Sequence, residues 1–303
     1  MVSVIITTYK REPEMVLRAI DSVLVQTFHD IEIIVVDDSP ADFPARKDVR
    51  AAVEMRQNEN ARISIRYIAH SKNKGACVAR NTGLEAATGE YIAYLDDDDE
   101  WLPEKIEKQM QVMQKSNAGL VYCGNTVKND RTGICEDVKK EYYRGKAFEK
   151  LLYSNFIAST SYPLIRTECL RAIGGFDPLM QAAQDYDVWL RLAEQYEIDY
   201  VPESLVLYHE HEGERITTNP KKKISGLERI NEKYAKYLDS DRKLWWTRNL
   251  SIAYYYAMAH EKKKALSLWF KCVRKCPEKV LDNGINFLRI MQTMTSDQVL
   301  KKQ

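Results

Sequence analysis

A chain of 303 residues, 45% hydrophobic and 29% charged, has the balance of an ordinary globular protein and room for one large domain plus a smaller one. Its formal net charge of +1 supplies no bulk field that would favour nucleic acid. No apolar run approaches the ~18 residues that cross a bilayer, and the run from Val2 to Ile6 is too short for a signal-peptide core and lacks a basic leader, so the chain is expected to stay in the cytosol.

The first half alternates strand and helix signals. Val2 to Thr7 is a short β-branched run of the kind a buried strand shows. Pro13 then opens a helix carrying Leu17, Ile20, Val23, Leu24 and Phe28. Ile31 to Val36 is a second strand, ending in Asp37, Asp38 and Ser39, and a helix from about Ala45 to Arg56 follows it. Ile63 to Ile68 is a third strand, and Gly75 to Ala87 a helix that Gly89 terminates. Glu90 to Leu95 is a fourth strand running straight into Asp96, Asp97, Asp98 and Asp99; Pro103 starts the next helix, and Gly119 to Cys123 is a fifth strand. Such βα repeats predict an α/β fold with a mostly parallel sheet, helices on both faces, and ligands beyond the carboxyl ends of the strands.

The pattern changes at Lys221, Lys222 and Lys223, read as a short charged joint. Helical periodicity then runs over Leu227 to Leu238, Leu244 to His260, Lys263 to Lys275 and Val280 to Met291, so the expected division is an α/β domain over 1–222 and an all-helical region over 223–303. Tyr254 to Tyr256 with Trp245, Trp246 and Trp269 are expected to form the helical core. The six cysteines lack zinc-ribbon spacing and read as reduced thiols, mostly buried.

Four successive aspartates at a strand end are the strongest chemical signal. Two carboxylates ~4 Å apart repel by ~4 kcal/mol at an effective dielectric of ~20, so the run needs a cation, wide solvation or raised pKa values. An extended backbone would point Asp96 and Asp98 to one side, and such hard oxygens suit Mg²⁺ or Mn²⁺. The bland alternative is an acidic turn capping the helix at Pro103, a role expected of Asp99 or Glu100. Arg80, on the helix after Gly75, suits a phosphate, although an arginine so placed is more often a helix-surface salt bridge. Asp185 opens an amphipathic helix, where it would serve as a base or as a cap. His211 stands among Glu210, Glu212 and Glu214, as a site residue or a surface histidine. Two rival functions are open at this level. The string from Val35 to Pro40, VVDDSP, suits a phosphorylation receiver, although the later cluster of four aspartates does not. A sugar nucleotidyltransferase would carry a glycine-rich loop after the first strand, where this chain has Thr7, Thr8, Tyr9, Lys10 and Arg11.

Taken in order, VSVIITTY (from Val2), IIVVDDS (from Ile33), NKGACVARNTGLEAATGEYIAYLDDDDEW (from Asn73), IGGFD (from Ile173) and QDYDVWLRL (from Gln184) resemble glycosyltransferase family 2 from Val2 to about Thr218. The resemblance implies a GT-A fold and an inverting, metal-dependent transfer of a hexose or N-acetylhexosamine from a nucleotide-diphosphate sugar, UDP-sugar first among them. The acceptor would be a saccharide or a lipid-linked saccharide in cell-surface polysaccharide or glycan synthesis. By the same resemblance Thr7 and Tyr9 line the base pocket, Asp38 accepts from the nucleobase, and Arg80 lies near the nucleotide. Asp96 and Asp98 form the DxD pair, with Asp98 the direct ligand of Mn²⁺ or Mg²⁺ and Asp96 or Asp97 nearer the ribose. Asp185 is the catalytic base, and His211 approaches the metal and diphosphate. Ser159 to Ser161 and Gly174 to Asp177 shape the acceptor pocket. The chain departs from the family at Gln184, where glutamate is usual, and at His209, where arginine is common. A lipid-linked acceptor would bring the enzyme to the inner membrane face, with Lys221 to Lys223 and Lys262 to Lys264 against acidic lipid; solvated helix faces explain those lysines equally well.

Overall fold

The computed structural model describes residues 1–210 and 219–295. Contacts divide the chain into two units, one holding Met1–Pro178 and the segment from Asp185 to the end of the last strand, the other holding Leu179–Gln184 and the C-terminal helices.

The first unit begins with β1 (Val2–Thr8), α1 (Pro13–Leu24), β2 (Ile31–Asp37), α2 (Arg46–Glu59), β3 (Ser64–Ala69), α3 (Ala76–Ala86) and β4 (Tyr91–Asp96). It continues through β5 (Asp99–Trp101), α4 (Lys105–Lys115), β6 (Leu120–Asn129), β7 (Cys135–Asp137), α5 (Phe148–Tyr153), β8 (Leu164–Arg166), α6 (Thr167–Ala172), α7 (Gln184–Gln195) and β9 (Ile198–Glu210). The strands form one nine-stranded sheet in the order β3-β2-β1-β4-β8-β6-β9-β5, with β7 paired to β6.

The expected parallel core is β3-β2-β1-β4, whose registers set Thr7 beside Asp96 and Thr8 beside Asp37. The carboxyl ends of β1, β2 and β4 therefore lie level. Beyond β4 the sheet becomes mixed: β8 runs antiparallel to β4 and β6, and β5 antiparallel to β9. A parallel crossover needs a dozen or more residues, and only Asp97 and Asp98 separate β4 from β5.

Alternation along β1 feeds two layers. Val2, Val4 and Ile6 join Val16, Ile20 and Val23 of α1 and Val49 and Val53 of α2 in one core. Ile5 points the other way, onto α3, where a Cβ added at Gly83 would lie 2.3 Å from Ile5 Cγ2. Glycine at this position lets α3 sit close to the sheet.

Among the charges buried in this unit is an ammonium. Lys105 is fully buried, with Nζ bonded to Gln109 Oε1 at 2.8 Å and 3.9 Å from the centre of the Trp101 ring. Burial pulls its ammonium down to about 8.

The helical unit comprises α8 (Pro220–Lys233), α9 (Ala235–Ser240), α10 (Arg242–Met258), α11 (Lys262–Lys275) and α12 (Val280–Thr295). Lys221 to Lys223 are not a joint but the first turn of α8: Pro220 opens the helix and the Asn219 side chain accepts from the Lys221 and Lys222 amides. Asn283 organises the core, accepting from Trp246 Nε1 at 2.8 Å on its side chain and from Trp269 Nε1 at 3.1 Å on its carbonyl. All six cysteines are free, and only Cys135 is exposed.

Replacing a helical glycine by alanine ordinarily stabilises by ~1 kcal/mol; Gly83→Ala is expected instead to destabilise by ~2 kcal/mol through overpacking on Ile5, as measured by denaturant unfolding. A folded-state pKa below that of the unfolded lysine means that the folded chain sheds its proton first, so the cost of burial falls as pH rises from about 8 towards that of free lysine. Lys105→Met is therefore expected to gain ~2 kcal/mol on wild type at pH ~7 and to lose most of that gain by pH ~10, read from unfolding midpoints.

Candidate active site

The acidic run does not continue an extended strand. Asp96 closes β4, Asp97 and Asp98 make a turn, and Asp99 begins β5. The turn gives Asp96 and Asp99 partners of their own and leaves Asp97 and Asp98 to share one. Asp96 accepts from Arg80 Nη2 at 2.9 Å and Thr160 Oγ1 at 3.0 Å. Arg11 bridges the next two, with Nε on Asp97 Oδ1 and Nη2 on Asp98 Oδ2, both at 3.1 Å. Burial nevertheless pushes Asp97 up to about 7, against the pull of Arg11 and with the help of neighbouring Asp98. Asp99 is buried and accepts from Ser161 Oγ at 2.6 Å.

The capping role expected of Asp99 or Glu100 is thus not what the structure shows. Both belong to β5, which pairs with β9 through Asp99↔Tyr208 and Glu100↔Leu207, and α4 starts without a side-chain cap. Glu100 instead bonds His209 Nε2 at 2.6 Å, while His209 Nδ1 meets Asp130 Oδ1 at 2.5 Å. With both ring nitrogens on carboxylates, His209 does not offer the outward cation that arginine would. His211 lies outside the described residues.

Arg80 is buried in the middle of this constellation. Its guanidinium lies 5.3 Å from the Phe176 ring centre, is paired to Asp96, and sits within electrostatic reach of Asp185. Asp185 is the second residue of α7 and accepts from Asn155 Nδ2 at 3.3 Å. The preceding Gln184 donates to the Met180 carbonyl at 3.1 Å.

The IGGFD turn holds α3 and α7 in place. Gly174 and Gly175 take positive φ values of 77° and 65°, a region glycine enters without strain. Arg191 donates to the carbonyls of Ile173 and Gly175, each at 2.7 Å, and is itself held by the buried Asp187. Asn81, next to Arg80, exchanges two 2.8 Å bonds with the Phe176 backbone. These residues, expected at the acceptor pocket, tie the arginine helix to the aspartate helix.

At the edge formed by β1 and β2, Tyr9 is exposed and Thr7 half-buried. Asp38 is buried, with Oδ1 accepting the Lys74 amide at 2.8 Å and meeting His70 Nδ1 at 2.7 Å, and Oδ2 accepting the Gly75 amide at 2.7 Å. It pins the loop entering α3, where Gly75 has φ 90°. Arg11, His70, Asn81 and Asn155 were not singled out from sequence; only the adjacency of Arg11 to the end of β1 could have marked it.

Asparagine at 38 would turn an amide NH₂ towards backbone donors. Asp38→Asn is expected to cost ~2 kcal/mol of stability with no ligand present, seen as a lowered thermal midpoint. An unchanged midpoint would mean that Asp38 serves a ligand rather than the loop.

The sequence model of Glycosyl transferase family 2 matches residues 3–174. Among its relatives is a protein of Escherichia coli K12 named as the colanic acid biosynthesis glycosyl transferase WcaA, 29% identical over 79% of this chain and 83% of its own length. An uncharacterized glycosyltransferase of Methanocaldococcus jannaschii is 30% identical over 69% of this chain and 70% of its own. The Escherichia coli protein WfgD, named as a UDP-Glc:α-D-GlcNAc-diphosphoundecaprenol β-1,3-glucosyltransferase, is 28% identical over 66% and 73%. In three dimensions the chain superposes on Staphylococcus aureus TarS 1-349 with a TM-score of 0.66 at 17% identity, covering 97% of this chain and 88% of that one; the same protein crystallised with UDP-GlcNAc gives 0.65. The receiver and nucleotidyltransferase readings fall away. With the family's sequence pattern covering more than half its length and a GT-A type α/β fold beneath it, this chain belongs to glycosyl transferase family 2.

Proposed function

We propose that the chain transfers a hexose or N-acetylhexosamine from a UDP-sugar to a hydroxyl of a lipid-linked or polymeric saccharide, with inversion, in polysaccharide synthesis. The observation that carries this reading is the position of Arg80, bonded to Asp96 at the mouth of β4 and within the field of Asp185 on α7. It makes the acidic mouth and the candidate base one site. The names of WcaA and WfgD, and the UDP and UDP-GlcNAc complexes of TarS, support the substrate class.

In this reading Asp185, steadied by Asn155, takes the proton of the acceptor hydroxyl as that oxygen attacks the anomeric carbon. The bond from that carbon to the diphosphate breaks as the new one forms, so configuration inverts. Arg80 and Arg11, paired with the aspartates of the mouth, are proposed to stabilise the departing diphosphate. Asp98 presents a hard carboxylate at the turn, with Asp96 and His211 proposed beside it. Among the described residues no three histidine, cysteine or acidic side chains converge as a ready metal cage. Such a donor set fits a Mn²⁺ or Mg²⁺ ion that shares its shell with diphosphate oxygens and water. Bound there, the ion would neutralise charge on the leaving group. Thr7 and Tyr9 are proposed at the base, and Asp97 towards the ribose.

Asp185→Asn is expected to lower turnover by about a thousandfold while UDP affinity by calorimetry stays near that of wild type. Lost donor affinity with normal turnover would remove Asp185 from the role of base. Asp98→Ala should abolish the Mn²⁺ dependence of UDP binding in the same calorimeter, and the anomeric proton coupling of the product reports inversion.

A further inference from the structure

Large apolar side chains exposed in the first unit, Val25 and Ile134 among them, are scattered over several elements, and single positions of that kind are ordinary. Helix α12 differs. Val280, Leu281, Ile285 and Leu288 are 70%, 79%, 66% and 62% exposed. The last three recur at spacings that align them along one face of a helix. Ile290 and Met294, on another face, enter the core of the helical unit with Ala253, Ala257 and Ala265. Core packing therefore accounts for one side of α12 and leaves a second apolar side in solvent.

Helix α11 lies against it, with the Trp269 and Phe287 ring centres 4.6 Å apart. Its exposed positions Lys263, Phe270, Lys271 and Arg274 follow helical spacing and mix one large ring with three cations. The charge is concentrated here. From Lys262 to Thr295 the sequence has eight lysines and arginines against two carboxylates, although the whole chain is only +1, so the rest is net acidic. An apolar stripe on α12, together with a local excess of cations along α11 and α12, has the make-up of a surface that lies in the headgroup layer of an anionic membrane. Pairing with a second copy through the same face would bring two such concentrations of positive charge together, which opposes self-association.

We propose that α11 and α12 dock this protein on an anionic lipid bilayer. Leu281, Ile285 and Leu288 enter the boundary between headgroups and acyl chains, and Lys271 and Arg274 meet lipid phosphates. No helix among the described residues is long and apolar enough to cross a membrane, so the association is peripheral. It goes beyond the proposed transfer reaction and does not depend on it.

The test is sedimentation of the full chain with vesicles of phosphatidylglycerol and phosphatidylethanolamine, against vesicles of phosphatidylcholine alone. The protein is expected to pellet with the anionic vesicles, and not with the neutral ones, at ~0.1 M salt. The triple variant Leu281→Ser, Ile285→Ser, Leu288→Ser should raise the lipid concentration for half-binding roughly a hundredfold. The double variant Lys271→Glu, Arg274→Glu should raise it roughly thirtyfold. Circular-dichroism melts establish that each variant folds, and calorimetry with UDP reports separately on the donor site. Four results would overturn the proposal: no pelleting with either vesicle, equal pelleting with both, variants that bind as wild type does, or a dimer in light scattering that the triple variant abolishes.

Discussion

Repulsion among four adjacent carboxylates is the constraint around which the first unit is organised. A pair ~4 Å apart costs ~4 kcal/mol even at a moderate dielectric, and here the run is half-buried at the edge of a sheet. The fold meets that cost in three ways. A turn at Asp97 and Asp98 puts Asp96 and Asp99 on different strands with separate partners. Arg80 and Arg11 face them with two guanidinium groups. Hydroxyls of Ser159, Thr160 and Ser161 complete the shells of Asp96 and Asp99. In the proposed reaction the arginines already present at this mouth would be shared with the diphosphate.

Holding two arginines against that mouth requires a rigid surround. Arg80 is positioned by α3, whose entry loop is pinned by Asp38 and His70 and whose close approach to β1 depends on Gly83. Asn81 and Arg191 then tie α3 and α7 to one glycine turn. The proposed base on α7 and the proposed donor side on β4 are thereby set by hydrogen bonds to backbone, which leave little rotamer freedom. A site built on the ends of regular elements, with its supporting residues themselves bonded, holds reacting groups more accurately than one carried on loops. The same logic explains His209: clamped between Glu100 and Asp130, it fixes the pairing of β5 with β9 rather than facing a ligand.

The helical unit obeys a different balance. Its core is small, built from alanines, two buried cysteines and the indole bonds to Asn283. An apolar surface remains on α12 after that core is filled. Amphipathic periodicity specifies which side of a helix is apolar, but it does not say whether protein or lipid covers that side. The local excess of lysine and arginine favours lipid.

Much of the architecture was legible because it depends on local pattern. Short apolar, β-branched runs located β1 to β4, helical periodicity located the helices between them, and the order of acidic, glycine-rich and aromatic strings marked the family. The residues beside the aspartates were not legible in the same way. Arg11 lies more than eighty positions from the carboxylates it bridges, and Asn155 thirty from Asp185. Only the register of parallel strands and the packing of α7 bring them together. Asp99 looked like a cap because Pro103 follows it, yet pairing with β9, over a hundred positions away, made it a buried strand residue. The sequence by itself thus determined the alternating strands and helices of the first half, the helices of the C-terminal region and the family, since those follow from side chains near one another along the chain. Which carboxylate meets which cation, and which is buried, was decided by the tertiary structure, because Coulomb and desolvation energies depend on distances in space.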